Sequence, residues 1–111
     1  MYNHTVSFHI LPDTCTLTRD IIHDDILPVL RKQPGLVDLL VLQSSDEPCE
    51  FIVSTFWETR DHAENHHRYV YAELIALLTM HMDGEAKVCF YNVDTSSAHH
   101  IASGVAAATV A

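Results

Sequence analysis

Two neighbouring stretches, LVDLLVLQ at Leu36–Gln43 and EFIVSTFW at Glu50–Trp57, are apolar on both sides of an extended chain. Side chains alternate across a strand, so Val37, Leu39 and Val41 point one way and Leu40 and Leu42 the other, while Phe51 and Val53 oppose Ile52 and Phe56. A strand covered on one side only alternates apolar with polar residues, and these two do not. Both faces of the sheet they build therefore need cover, and helices can supply it on one face. What remains exceeds the apolar patch that soluble monomers normally expose. A second copy of the same sheet is the expected cover; a monomer that simply exposes these residues is the plainer alternative.

The rest of the chain fits around those strands. HTVSFHIL, His4–Leu11, places Val6, Phe8 and Ile10 on one face and stops at Pro12 and Asp13, which reads as a first strand. Between Thr16 and Gln33, Ile22, Ile26, Val29 and Leu30 recur at helical spacing until Pro34 and Gly35, with Pro28 set to kink or loosen the last turns. SSDEP, Ser44–Pro48, makes the second and third strands an antiparallel pair. Thr59 caps a second helix that runs, with a break near Arg68 and Tyr69, to Met82 and ends at Asp83 and Gly84. AKVCFYNV, Ala86–Val93, is a fourth strand. The order βαββαβ predicts an α+β, ferredoxin-like plait: a four-stranded antiparallel sheet with both helices on one face. At 111 residues this is one domain, with a core spanning about 4–95 and a small-residue segment 96–111 that docks or frays.

Charge and cysteine usage narrow the partners. Six basic against fifteen acidic residues give a formal charge of -9, which repels nucleic acid and anionic lipid. No segment approaches the roughly 20 apolar residues that span a bilayer, and the N-terminus lacks an export signal. Cys15, Cys49 and Cys89 are odd in number and lie far apart in the sequence, without CxxC or CxxH pairing, which fits a reducing cytoplasm. No glycine-rich phosphate loop is present, so no flavin or other nucleotide cofactor is expected.

Histidines carry the candidate chemistry. On a continuous helix Ala63, His67, Val70, Tyr71, Leu74, Leu78 and His81 share one face, so His67 is expected to be largely buried there. His67 is either a core histidine with satisfied nitrogens or a general base on a pocket. His62 and His66, four residues apart on a flank, have the spacing to meet one metal ion, yet HExxH is absent and no third ligand is identified, so no metal is expected. A solvated flank with Asp61, Glu64 and Asn65 accounts for both. His9 on the first strand, Tyr91 and Asn92 on the fourth, and Tyr71 on the helix are further polar groups of which strand parity admits only some to a pocket. Cys89, within a strand, reads as a small buried hydrophobe.

VSTFW closing the third strand, AEN within the next helix, LPVLRKQPG at Leu27–Gly35 and SSAHHIA at Ser96–Ala102 together make the chain resemble the antibiotic biosynthesis monooxygenase (ABM) family of dimeric α+β barrels. The resemblance implies a homodimer with sheets face to face and a small-molecule pocket in each subunit between sheet and helices. It makes cofactor-independent oxygenation of a small apolar or aromatic molecule the expected reaction, with Trp57 as the family residue that is kept and His99 in the C-terminal signature; the residues' own placement adds His67 as base and Tyr71, His9 and Asn92 around the substrate. Trp57 is then a flat wall for an aromatic ring, where otherwise it would simply seal the end of the sheet. Oxygenating members carry an Asn and a Tyr where this chain has Val53 and Ala63, which leaves a non-catalytic binding or stress-response module on the same fold as the alternative. Haem-degrading members carry a Trp and a His where this chain has His67 and Leu77, so no haem is expected.

Overall fold

The computed structural model describes residues 1–96. Its strands are β1 (Tyr2–His9), β2 (Leu36–Gln43), β3 (Glu50–Trp57) and β4 (Lys87–Asn92), all paired antiparallel in the order β2-β3-β1-β4. That is the expected plait. Its helices are α1 (Cys15–Ile21), α2 (Leu27–Arg31), α3 (Arg60–Tyr69) and α4 (Tyr71–Ala76), with a 3-10 turn at Thr79–His81. The segment from residue 97 on, including His99 and the expected C-terminal docking, lies outside the described residues.

Pro28 leaves its mark where the sequence places it. Without an N–H it cannot bond the carbonyl of Asp24, and the helix widens into a π-helical turn, Ile22–Ile26, in which Leu27 N–H reaches back to the Ile22 carbonyl. The first helix is thereby continuous across three segments rather than broken.

Registry decides the faces. Val6 pairs with Val53, Phe8 with Phe51 and His4 with Thr55, so the even residues of β1 and the odd residues of β3 point together. Leu39 and Val41 join them on β2, and Ile22, Ile26, Leu30, Leu74 and Leu78 close over this face from the helices. Phe8 and Phe51 stack with centroids 6.0 Å apart. Both rings are fully buried, each contributing about 2–3 kcal/mol of apolar transfer.

The helix-free face is more mixed than β2 and β3 alone suggest. Leu40 and Leu42 are 38% and 48% exposed there. The middle of the sheet, however, is polar: Asn3 Nδ2 donates to Ser54 Oγ at 2.8 Å and to the Thr55 carbonyl at 3.0 Å, and Thr5 lies 2.9 Å from the same Ser54 hydroxyl. A β-bulge at Val37, between Leu36 and Asp38, shifts the start of β2 out of simple alternation.

Candidate functional site

The histidines converge at the end of the sheet where β1 and β3 meet α3. Thr59 caps α3 by accepting from His62 N–H at 3.2 Å. Ala63, fully buried and small, lets the helix approach β1 and β3 closely. One turn later His66 lies over Trp57, ring centroids 4.8 Å apart and planes 27° from parallel. Trp57 Nε1 donates to Thr55 Oγ1 at 2.9 Å, and that hydroxyl donates to the His4 carbonyl at 3.1 Å. His4, on β1, bonds His67 from Nε2 to Nδ1 at 3.1 Å. The His67 ring stacks on Tyr71 at 5.1 Å, and Phe90 meets both His4 and His67 edge-on at 5.0 and 5.3 Å.

His4, Thr55, His66 and Tyr71 form the polar end of a cavity whose other walls are aliphatic or aromatic, among them Val6, Phe8, Leu30, Val53 and Leu74. This partly open cavity has about 40 Å³ of free space, enough for a few waters, and a ring-sized ligand requires a wall to move. Electrostatics keep the polar end neutral. Burial, helped by His66 and His67, lowers the His4 pKa to about 3, although a hydrogen bond to its own backbone opposes the shift. Burial and then His67 lower that of His66 to about 4. Burial raises the Tyr71 hydroxyl. His66 Nδ1 is buried and has no hydrogen-bond partner. An imidazole in that state offers a lone pair to whatever hydroxyl enters.

This arrangement corrects the histidine assignment made from helical spacing. His66 is the buried ring, 5% exposed, and not a surface residue. His67 is half-buried and reaches the cavity's edge only through His4. The reason is a break: Val70, at φ -122° and ψ -39°, separates α3 from α4, so the phase set by Leu74 and Leu78 does not carry back to α3. On α3 the buried residues are Ala63 and His66, three apart, with His67 on the rim of the stripe. His62 is half-buried, its ring 2.8 Å from the Thr59 hydroxyl and well apart in role from His66.

The remaining expected residues divide. Tyr71 is on the cavity wall, and Trp57 backs it through His66 while also facing a second hollow beside His62. His9 is on the opposite sheet face because odd positions of β1 point there; it is exposed, 3.4 Å from Glu50 and 3.8 Å from Glu47. Asn92 is exposed at the end of β4. His4 was missed, although its parity with Val6, Phe8 and Ile10 was legible as a polar ring on the core face. Among the described residues, ligand atoms within 4.8 Å of one another, as a metal would need, occur at His9, Glu47 and Glu50, which face solvent. No helix among them is long and apolar enough to cross a membrane.

The fold is shared widely. A candidate antibiotic biosynthesis monooxygenase from Nitrosomonas europaea superposes with a TM-score of 0.74 at 21% identity, over 86% of this chain and 100% of that one. A conserved protein from Methanosarcina mazei gives 0.69 at 20%, over 81% and 89%. A cofactor-independent oxygenase from Streptomyces nogalater gives 0.72 at 10%, over 86% and 94%. No curated protein matches the chain in sequence. The model of the antibiotic biosynthesis monooxygenase family matches residues 1–72, which carry β1 to β3, α3, His4, Trp57, His66, His67 and Tyr71, and the chain belongs to that family.

Proposed function

We propose that this protein is a cofactor-independent monooxygenase of the ABM type, acting as a homodimer on a small, mostly apolar aromatic hydroxyl compound held between sheet and helices. The observation that carries the reading is His66, neutral and buried, whose ring lines an otherwise apolar cavity and whose Nδ1 has no hydrogen-bond partner. Once a wall moves to admit a quinol, its O–H bond breaks as an N–H bond forms at His66 Nδ1, and the electron pair enters the ring. A ring carbon then bonds dioxygen. The peroxide takes up a proton, the carbon loses its own, and the O–O bond breaks to leave a hydroxyquinone and water, so that one dioxygen converts one quinol. Tyr71 and the His4–His67 pair border the reacting end. The helix-free face, with Leu40 and Leu42, is the dimer interface, and the three free thiols suit the cytoplasm.

An oxygen electrode with a panel of one- and two-ring quinols tests this. Consumption above autoxidation is expected, falling about 100-fold in His66→Ala. Saturable binding without turnover would instead support a non-catalytic binding module, a reading favoured by Val53, an apolar residue on the cavity wall.

A further inference from the structure

The fold brings together two cysteines that stand far apart in the sequence. Cys49 directly precedes β3, and Ile10 N–H donates to its carbonyl at 2.9 Å, which extends the pairing of β1 with β3 by one step. Two residues before Phe51, its side chain takes the helix-covered side of the sheet and packs against the core. Cys15, the first residue of α1, packs against the same core, and its thiol donates to the Pro48 carbonyl at 3.5 Å. Pro48 is bonded to Cys49, and the thiols of Cys15 and Cys49 are side-chain partners. Both are free and half-buried rather than sealed, so a small solute reaches them from water. We propose that Cys15 and Cys49 form a modification site, a dithiol that a peroxide oxidises to a disulfide, tying the start of the first helix to the loop between β2 and β3.

The surroundings hold the pair in place. Gln43 Nε2 donates to the same Pro48 carbonyl at 2.9 Å, Glu47 N–H to Ser44 Oγ at 3.1 Å and Glu50 N–H to the Glu47 carbonyl at 2.9 Å, so the loop keeps Cys49 beside α1. Cys89 does not compete, because it pairs with Thr5 and points with it to the helix-free face. In the first step a thiolate sulfur bonds one peroxide oxygen, the O–O bond breaks, and the departing hydroxide is protonated to water, leaving a sulfenic acid. The other sulfur, as thiolate, then bonds the first, the S–O bond breaks, and a second water leaves. Two thiols and one hydrogen peroxide become one disulfide and two waters, with two electrons passing from sulfur to peroxide. Burial, then Cys15, Glu47 and Asp13, push the Cys49 thiol up, which keeps it largely protonated at neutral pH and makes the reaction slow, a response to sustained oxidant. The helix that begins at Cys15 carries Ile26 and Leu30 of the cavity wall, so the bond fastens a wall-bearing element to the sheet.

The test treats the reduced protein with a mild excess of hydrogen peroxide, blocks the remaining thiols with N-ethylmaleimide and digests with trypsin. Cleavage after Arg19, Lys32, Arg60 and Lys87 puts the three cysteines on separate peptides, so the pairing reads directly from peptide masses. Free thiols should fall from three to one, and the peptides of Cys15 and Cys49 should appear linked. Because the bond encloses the whole first helix and β2, Tm should rise by about 10 °C, and dithiothreitol should reverse the rise. Cys89→Ser should keep both the link and the rise, and Cys15→Ser should lose both. Sulfinic acids without a link, a link that includes Cys89, or a Cys15–Cys49 link with an unchanged Tm would overturn the proposal. If Cys15→Ser does not fold, the peptide map of the wild-type protein decides: absence of the Cys15–Cys49 pair refutes the site.

Discussion

Acidification from about pH 7.5 to about pH 5 should destabilise this protein well before its carboxylates titrate. His4 and His66 are buried with pKa values of about 3 and about 4, so both stay neutral in the folded chain at pH 5. In the unfolded chain each titrates near 6.5 and is protonated there. The unfolded state therefore binds more protons over this range, and stability falls as the pH falls; it is fully present above about 6.5 and continues to drain until the folded pKa values are reached. Each ring costs about 1.4 kcal/mol per pH unit below 6.5, hence about 2 kcal/mol at pH 5 and about 4 kcal/mol for the two. Against a total stability of about 5–15 kcal/mol this is a large share. Relief of repulsion as a chain of charge -9 is neutralised acts the other way, but carboxylates take up few protons above pH 5. Urea denaturation followed by tryptophan fluorescence, at fixed protein concentration, should show a midpoint lowered by about 2 M for a slope of about 2 kcal/mol per M. His66→Phe, which keeps a ring over Trp57 but cannot titrate, should show about half that loss. A midpoint that is flat or rises between pH 7.5 and pH 5 would refute the burial of these rings as neutral species.

Leu40→Asp places a charge on the helix-free face, where Leu40 is 38% exposed, and light scattering should change from dimer to monomer, whereas a monomeric wild type at micromolar concentration would end the dimer proposal. Gly35→Ala should lower stability by about 2 kcal/mol, or Tm by about 8 °C, because Gly35 has φ +81° and an added Cβ would overlap the His62 ring; an unchanged melting curve by circular dichroism would contradict the tight approach of this turn to α3.

Element type and order were legible in the sequence because each strand and helix announces itself through periodicity. The bounds of β2 and β3 agree with their apolar runs to the residue, Thr59 caps α3 as its position suggests, and Pro28 disturbs the first helix where expected. Strand parity was legible as a pattern but not as a direction. Only the registry Leu39 to Thr55 and Val41 to Val53, with α1, α2 and α4 closing over those residues, says that Leu40 and Leu42 face away. The histidine site depended on tertiary structure more strongly still. His66 and His67 differ by 100° on a helix, and a break at Val70 and the docking angle of α3 against β1 and β3 decide which of them turns inward. Their partner His4 lies more than sixty positions away, brought alongside by the central pairing of β1 with β3. Local periodicity fixes which residues share a face of one element; which faces meet, and so which polar side chains are buried together, is set by packing between elements distant in sequence.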